Sequence, residues 1–117
     1  MRYLILASTA AILAAAPAHA TGGMSCRTAS DPEISIDVGF GHSAGSGLFM
    51  ARLWVDGEDI AVQAPQWWLD GEELRLLLTD EQASERLAVV RATRNGDTYD
   101  GSVTYQGKSH WIRCYEG

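Results

Sequence analysis

The sequence is short of the residues that most often carry chemistry. Histidine occurs three times in 117 residues and cysteine twice, at Cys26 and Cys114. His19 falls within the first twenty residues, which read as a leader, and this leaves His42 and His110, neither with a carboxylate or thiol beside it at ligand spacing. Asp56-Gly57-Glu58-Asp59 lacks the alternating oxygen pattern of a Ca²⁺ loop and reads as a solvated turn. No metal and no cofactor are therefore expected. No C-x-x-C pair is present, which removes the usual redox and zinc readings. Basic residues are also few and scattered, nine Lys and Arg against fifteen Asp and Glu. Such a chain repels nucleic acid. Beyond residue 20 there is no repeat, linker, low-complexity run or second apolar segment suited to a membrane span.

Residues 1–20 read as an address rather than as part of a fold. Arg2 supplies a short positive region, Tyr3 to Ala16 is uncharged and mostly apolar, and Ala18-His19-Ala20 offers the small residues of a signal-peptidase site. Cleavage there predicts an exported product starting near Thr21, periplasmic or secreted. The remaining 97 residues suit one small domain, 21–117. Losing Arg2 leaves eight basic residues against the fifteen acidic ones, a net charge of −7. Solubility is the plainest use of that charge.

In an oxidising compartment Cys26 and Cys114 are expected to pair. Their bridge would close a loop of 88 residues and contribute about 4 kcal/mol, a large share of the stability of so small a domain.

Strand patterns fill the chain between the cysteines. Glu33 to Phe40 alternates strictly, with Ile34, Ile36, Val38 and Phe40 on one face. Leu48 to Val55 follows, with Phe49, Ala51, Leu53 and Val55 on one face and Leu48, Met50, Arg52 and Trp54 on the other, so neither face is clearly wet. Asp56-Gly57 turns into a short strand through Ile60 and Val62, Pro65 interrupts, and Trp67-Trp68-Leu69 begins another extended piece. Leu74 to Thr79 and Leu87 to Ala92 are further strands. Between them, Thr79 with Gln82 resembles a capping box, giving one short helix over Asp80 to Arg86. Asn95-Gly96 predicts a hairpin turn, Tyr99 to Tyr105 returns from it, and His110 to Cys114 is the last strand. Seven to eight short strands joined by turns make an all-β domain, an antiparallel barrel or a sandwich. If strands follow in sequence order, the Cys26–Cys114 bridge brings the two sheet edges together, which favours the barrel.

One short stretch spells a catalytic motif. Gly41-His42-Ser43-Ala44-Gly45 is G-x-S-x-G, the nucleophile elbow of serine hydrolases. The elbow needs a strand before the serine and a helix after it. A strand precedes Ser43, but Gly45, Ser46 and Gly47 lead into another strand pattern. The expected reading is a loop holding His42, Ser43 and Ser46, and an enzyme is not expected.

Aromatic residues form the more informative constellation. Trp54, Trp67, Trp68 and Trp111 are four tryptophans in a 97-residue domain. Neighbours on a strand point to opposite faces, so Trp67 and Trp68 cannot both face a core. With Tyr105, these four rings are the candidate binding surface.

In architecture the chain resembles the small exported inhibitors of c-type lysozyme. The resemblance covers the leader, Cys26, the strand from Ile34 to Phe40, and the turn-rich run to Arg113-Cys114. It implies an antiparallel barrel with a disulfide. The Ser-Gly-x-x-Tyr motif that enters the lysozyme cleft is absent: Gly101-Ser102-Val103-Thr104-Tyr105 has the first two residues exchanged, and Ser46-Gly47-Leu48-Phe49-Met50 lacks the tyrosine. The functional expectation is a non-catalytic binding protein of the cell envelope, its sharpest version an inhibitor of a basic hydrolase such as lysozyme. The alternative is a carrier holding a small ligand in an aromatic-lined barrel mouth, and a serine hydrolase using Ser43 comes last. The partner is a protein or a small ligand of the envelope, and the oligomeric state stays open.

Overall fold

A computed structural model describes residues 21–41 and 47–117. These form nine strands: β1 (Thr21–Thr28), β2 (Ile34–Gly41), β3 (Leu48–Val55), β4 (Glu58–Ile60), β5 (Gln63–Leu69), β6 (Glu73–Thr79), β7 (Arg86–Asn95), β8 (Thr98–Tyr105) and β9 (Lys108–Glu116). All nine belong to one antiparallel sheet in the order β4-β3-β2-β1-β9-β8-β7-β6-β5. The sheet curls until β3 and β5 lie side by side, a half-barrel whose concave face holds the core.

The alternating apolar positions dictate that face. Ile34, Ile36 and Val38 of β2 are buried, as are Leu74, Leu76 and Leu78 of β6, and Ala88, Val90 and Ala92 of β7. Met24 and Cys26 of β1, Leu53 of β3, Tyr99 and Val103 of β8, and Ile112 and Cys114 of β9 complete the lining. Tyr99 is the one buried ring among them, and its hydroxyl donates to the Asp70 carbonyl at 2.7 Å while accepting from Arg94 at 3.1 Å. A buried phenol without such partners would cost stability.

The two cysteines are bonded, and they sit directly opposite each other on β1 and β9. This placement differs from the expected one. β1 is not an edge strand but lies between β2 and β9, so the disulfide staples the middle of the sheet. The edges are β4 and β5, strands from the middle of the chain. Sequence-order reasoning missed this because Thr21–Thr28, TGGMSCRT, carries no clear apolar alternation. It is a strand because two neighbours pair with it.

Three local expectations are also corrected. Pro65 does not interrupt a strand; it lies within β5, at a register shift between Gln63 and Gln66 on the sheet edge. There its missing N–H breaks no ladder. The expected helix over Asp80 to Arg86 is a hairpin loop, with Thr79 paired to Arg86. Asp80 Oδ1 accepts the N–H groups of Ser84 and Glu85 at 2.7 and 3.1 Å, and Ala83 adopts φ 58°. Side-chain capping of this kind competes with helix formation. The third correction is a one-residue shift of the Asn95-Gly96 turn. Asn95 pairs with Thr98, so the loop residues are Gly96 and Asp97, with Gly96 first at φ 65° as a type II′ turn requires. The Asp56-Gly57 turn lies where expected, between paired Val55 and Glu58. With β1 added to the strands expected from sequence, there are nine rather than seven or eight, and no helix among the described residues.

Candidate functional site

Burial of Leu74, Leu76 and Leu78 turns Arg75 and Leu77 outward, and burial of Val90 does the same for Val89 and Arg91. Strand register then builds a row across the convex face. Trp68 faces Arg75, Arg75 faces Arg91, Arg91 faces Ser102, and Ser102 faces Trp111. A second row runs beside it through Gln66, Leu77, Val89, Thr104 and Ser109. Between β5 and β7 the two rows flank a shallow groove of about 340 Å³, with Arg86 at its margin.

The two terminal rings of the first row are held in place by different devices. Trp68 is 53% exposed and its indole N–H donates to Asp70 Oδ2 at 3.0 Å. Asp70 Oδ1 accepts the N–H groups of Glu72 and Glu73, both at 2.8 Å. These bonds, that of Glu72 foremost, hold the Asp70 carboxyl below its ordinary range. The β5–β6 turn therefore orients the ring. Trp111 is 49% exposed and lies beneath the Arg113 guanidinium, 5.0 Å from its centroid. Asp100 accepts from Arg113 Nε and Nη2 at 2.8 and 2.9 Å, and also from Asn95 and Thr98 at 2.7 and 3.0 Å. The Arg113 hydrogen bonds, then that of Asn95, hold the Asp100 carboxyl far below the usual carboxylate range. Arg113 is thus locked where it braces Trp111.

The arginines of the groove are not equivalent. Arg75 is tied to Glu73 by two hydrogen bonds of 3.0 and 3.1 Å. Arg86 and Arg91 are exposed and form no salt bridge among the described residues. A cationic surface patch therefore sits on an acidic chain. The basic residues that look scattered in sequence are gathered by the β6–β7 register. The signal was present: once Leu74, Leu76 and Leu78 are given to one face, Arg75 must take the other. The pairing partner Arg91 is sixteen residues away, so no local pattern reveals it.

The remaining candidate residues scatter. Trp67 turns inward opposite Leu76 and stays 38% exposed at the seam, its ring centroid 5.0 Å from that of Phe40. Trp67 and Trp68 thus point to opposite sides, as their adjacency requires. Trp54 is half-buried on the outer side of β3, with Arg52 5.9 Å from its ring, in a row with Ser35 and Asp59. Tyr105 lies in a separate hollow beside Lys108, His110, Asp31 and Asp56. Only Trp68 and Trp111 share one row. His42, Ser43 and Ser46 lie outside the described residues. Among the described residues no three His, Cys, Asp or Glu side chains converge as metal ligands, and no helix is long and apolar enough to cross a membrane. Compared with known protein families, curated proteins and solved structures, the chain matches none.

Proposed function

We propose that this chain is a small, exported, non-catalytic binding protein of the cell envelope that engages its partner through the outer face of β5 to β9. The observation that carries this reading is the row from Trp68 to Trp111, with both indoles exposed and Trp68, Asp70, Arg113 and Asp100 linked into supports that fix them. Trp and Arg dominate the residues whose truncation weakens protein interfaces most. A ring already oriented before contact loses less entropy on binding. The disulfide agrees with delivery to an oxidising compartment. The concave face is filled by Leu, Ile, Val and Tyr99, which moves weight from an internal carrier site to the outer surface.

The test is affinity capture from an envelope extract with the oxidised protein, beside Trp68→Ala and Arg91→Ala variants. One stoichiometric partner, retained by the parent and lost by both variants, supports the reading. Equal capture by all three refutes this face as the binding surface.

A second reading rests on the opposite charge. The turns after β1, β3, β6 and β8 share one end of the sheet, where Asp31, Glu33, Asp56, Glu58, Glu81 and Glu85 are all exposed. An acidic end suits a basic partner such as a lysozyme. Loss of muramidase activity on mixing, relieved by salt, supports an inhibitor; undiminished activity at excess protein removes it.

A further inference from the structure

We infer that the ligand of the β5–β9 face is an anionic saccharide chain, stacked on Trp68 and Trp111 and paired through its carboxylate or sulfate groups with Arg91 and Arg86. This rests on the binding reading above and adds the ligand's chemistry.

The row spans five neighbouring strands, so the backbone positions of Trp68 and Trp111 lie about 19 Å apart along the sheet. That is the reach of an oligosaccharide rather than of one sugar. Indole faces offer a flat apolar surface to the C–H face of a pyranose ring, while the groove beside Trp68, which spans β5 to β7 and does not reach Trp111, is shallow. It has no deep apolar hole of the kind that anchors a partner's side chain. Ser102, Thr104 and Gln66 supply hydroxyl and amide groups along the same two rows, suited to sugar hydroxyls. Charge selects the class. Arg86 and Arg91 lack ion-pair partners among the described residues, and their guanidinium forks match carboxylate and sulfate oxygens. The chain as a whole is acidic and repels a polyanion, and on this face Arg86 and Arg91 are the cations left to offset that repulsion.

The experiment is calorimetric titration of the oxidised protein with oligogalacturonate, a sulfated heparin oligosaccharide, a neutral malto-oligosaccharide and polyglutamate of matched charge. Expected are binding of at least one acidic oligosaccharide and about tenfold or weaker binding of both the neutral sugar and polyglutamate. Trp68→Ala and Trp111→Ala should each weaken acidic-sugar binding about tenfold, and Trp68→Phe should restore much of it. Arg91→Ala should reduce the salt dependence. Far-UV circular dichroism and the urea midpoint establish that each variant is folded. The proposal is overturned if neither acidic sugar binds, if the neutral sugar binds as well, or if polyglutamate binds equally without needing Trp68, which assigns the face to acidic peptides. If the sugars fail while Trp68→Ala still abolishes capture of a protein partner, the binding reading survives without the saccharide.

Discussion

Replacing Gly101 by alanine places a methyl group where two strands meet most closely. Gly101 lies on β8, on the concave row Leu74, Ala92, Gly101, Ile112. A Cβ built there would meet the Arg91 carbonyl oxygen first, and would stand 2.6 Å from the Ala92 Cα and 2.9 Å from the Arg91 carbonyl carbon. Non-bonded carbons rest at about 3.5–4.0 Å, so β7 and β8 would have to separate by at least about 1 Å. All three obstacles are backbone atoms, which cannot rotate aside as a side-chain tip can. Overpacking of this kind costs about 1–3 kcal/mol. Parting the strands also weakens one or two ladder hydrogen bonds, each contributing about 1 kcal/mol. The expected loss is about 3 kcal/mol, a substantial part of the ~5–15 kcal/mol available to a small domain. Urea unfolding of the oxidised protein, followed by tryptophan fluorescence, should show a lower midpoint at unchanged slope. Gly71→Ala is the control, since nothing lies within 4 Å of its would-be Cβ. It should stay within about 0.5 kcal/mol of the parent. A Gly101→Ala variant as stable as that control would refute the close-approach argument.

Three further outcomes are expected. Cys26→Ser with Cys114→Ser should lower stability by about 4 kcal/mol through loss of an 88-residue cross-link, read as a fall in the urea midpoint; an unchanged midpoint contradicts it. Gly96→Ala should cost about 1 kcal/mol, because Gly96 holds φ 65° in the β7–β8 turn, and thermal melting will show the loss. Asp100 titrates far below its ordinary range in the folded state, so its contribution is complete above the unfolded pKa of about 4 and fades as pH falls further. Asp100→Asn should therefore lag the parent most at pH 7 and converge with it in acid, and a gap that widens toward low pH would reverse the assignment.

Much of this fold was legible because several strands bury one face only. Ile34, Ile36 and Val38 alternate with polar residues, and the strand from Ile34 falls within one residue of its expected start. What stayed hidden was non-local. TGGMSCRT gives no period of its own, and its place between β2 and β9 depends on partners far along the chain. Pro65 reads as a break until β5 is known to be an edge, where a missing donor is harmless. The loop at Asp80 defeated a capping-box reading because Asp80, not Thr79, takes the free N–H groups. The tryptophans were visible as a group, but only register separates the pair sharing a row from Trp54 and Trp67. Arg86 and Arg91 drew no attention in sequence, since their neighbours there are unremarkable and their neighbours in space are on other strands.

The sheet order has a consequence for how the molecule is assembled and how it can be cut. β1 to β4 form one meander and β5 to β9 another; Ala61-Val62 is the chain link between them, and the β1–β9 ladder is the hydrogen-bonded one. Synthesis runs from the N-terminus, so among the nine described strands β1 emerges first and waits for β9, which emerges last. Until then the first meander exposes an unpaired edge that later becomes the centre of the sheet. The same arrangement makes the chain separable. Cleavage between Ala61 and Val62 would leave two fragments, each a complete meander, still joined through Cys26–Cys114 and the ladder around it. A permuted chain that begins at Val62 and runs from Gly117 into Thr21 through a short linker would retain every strand pair.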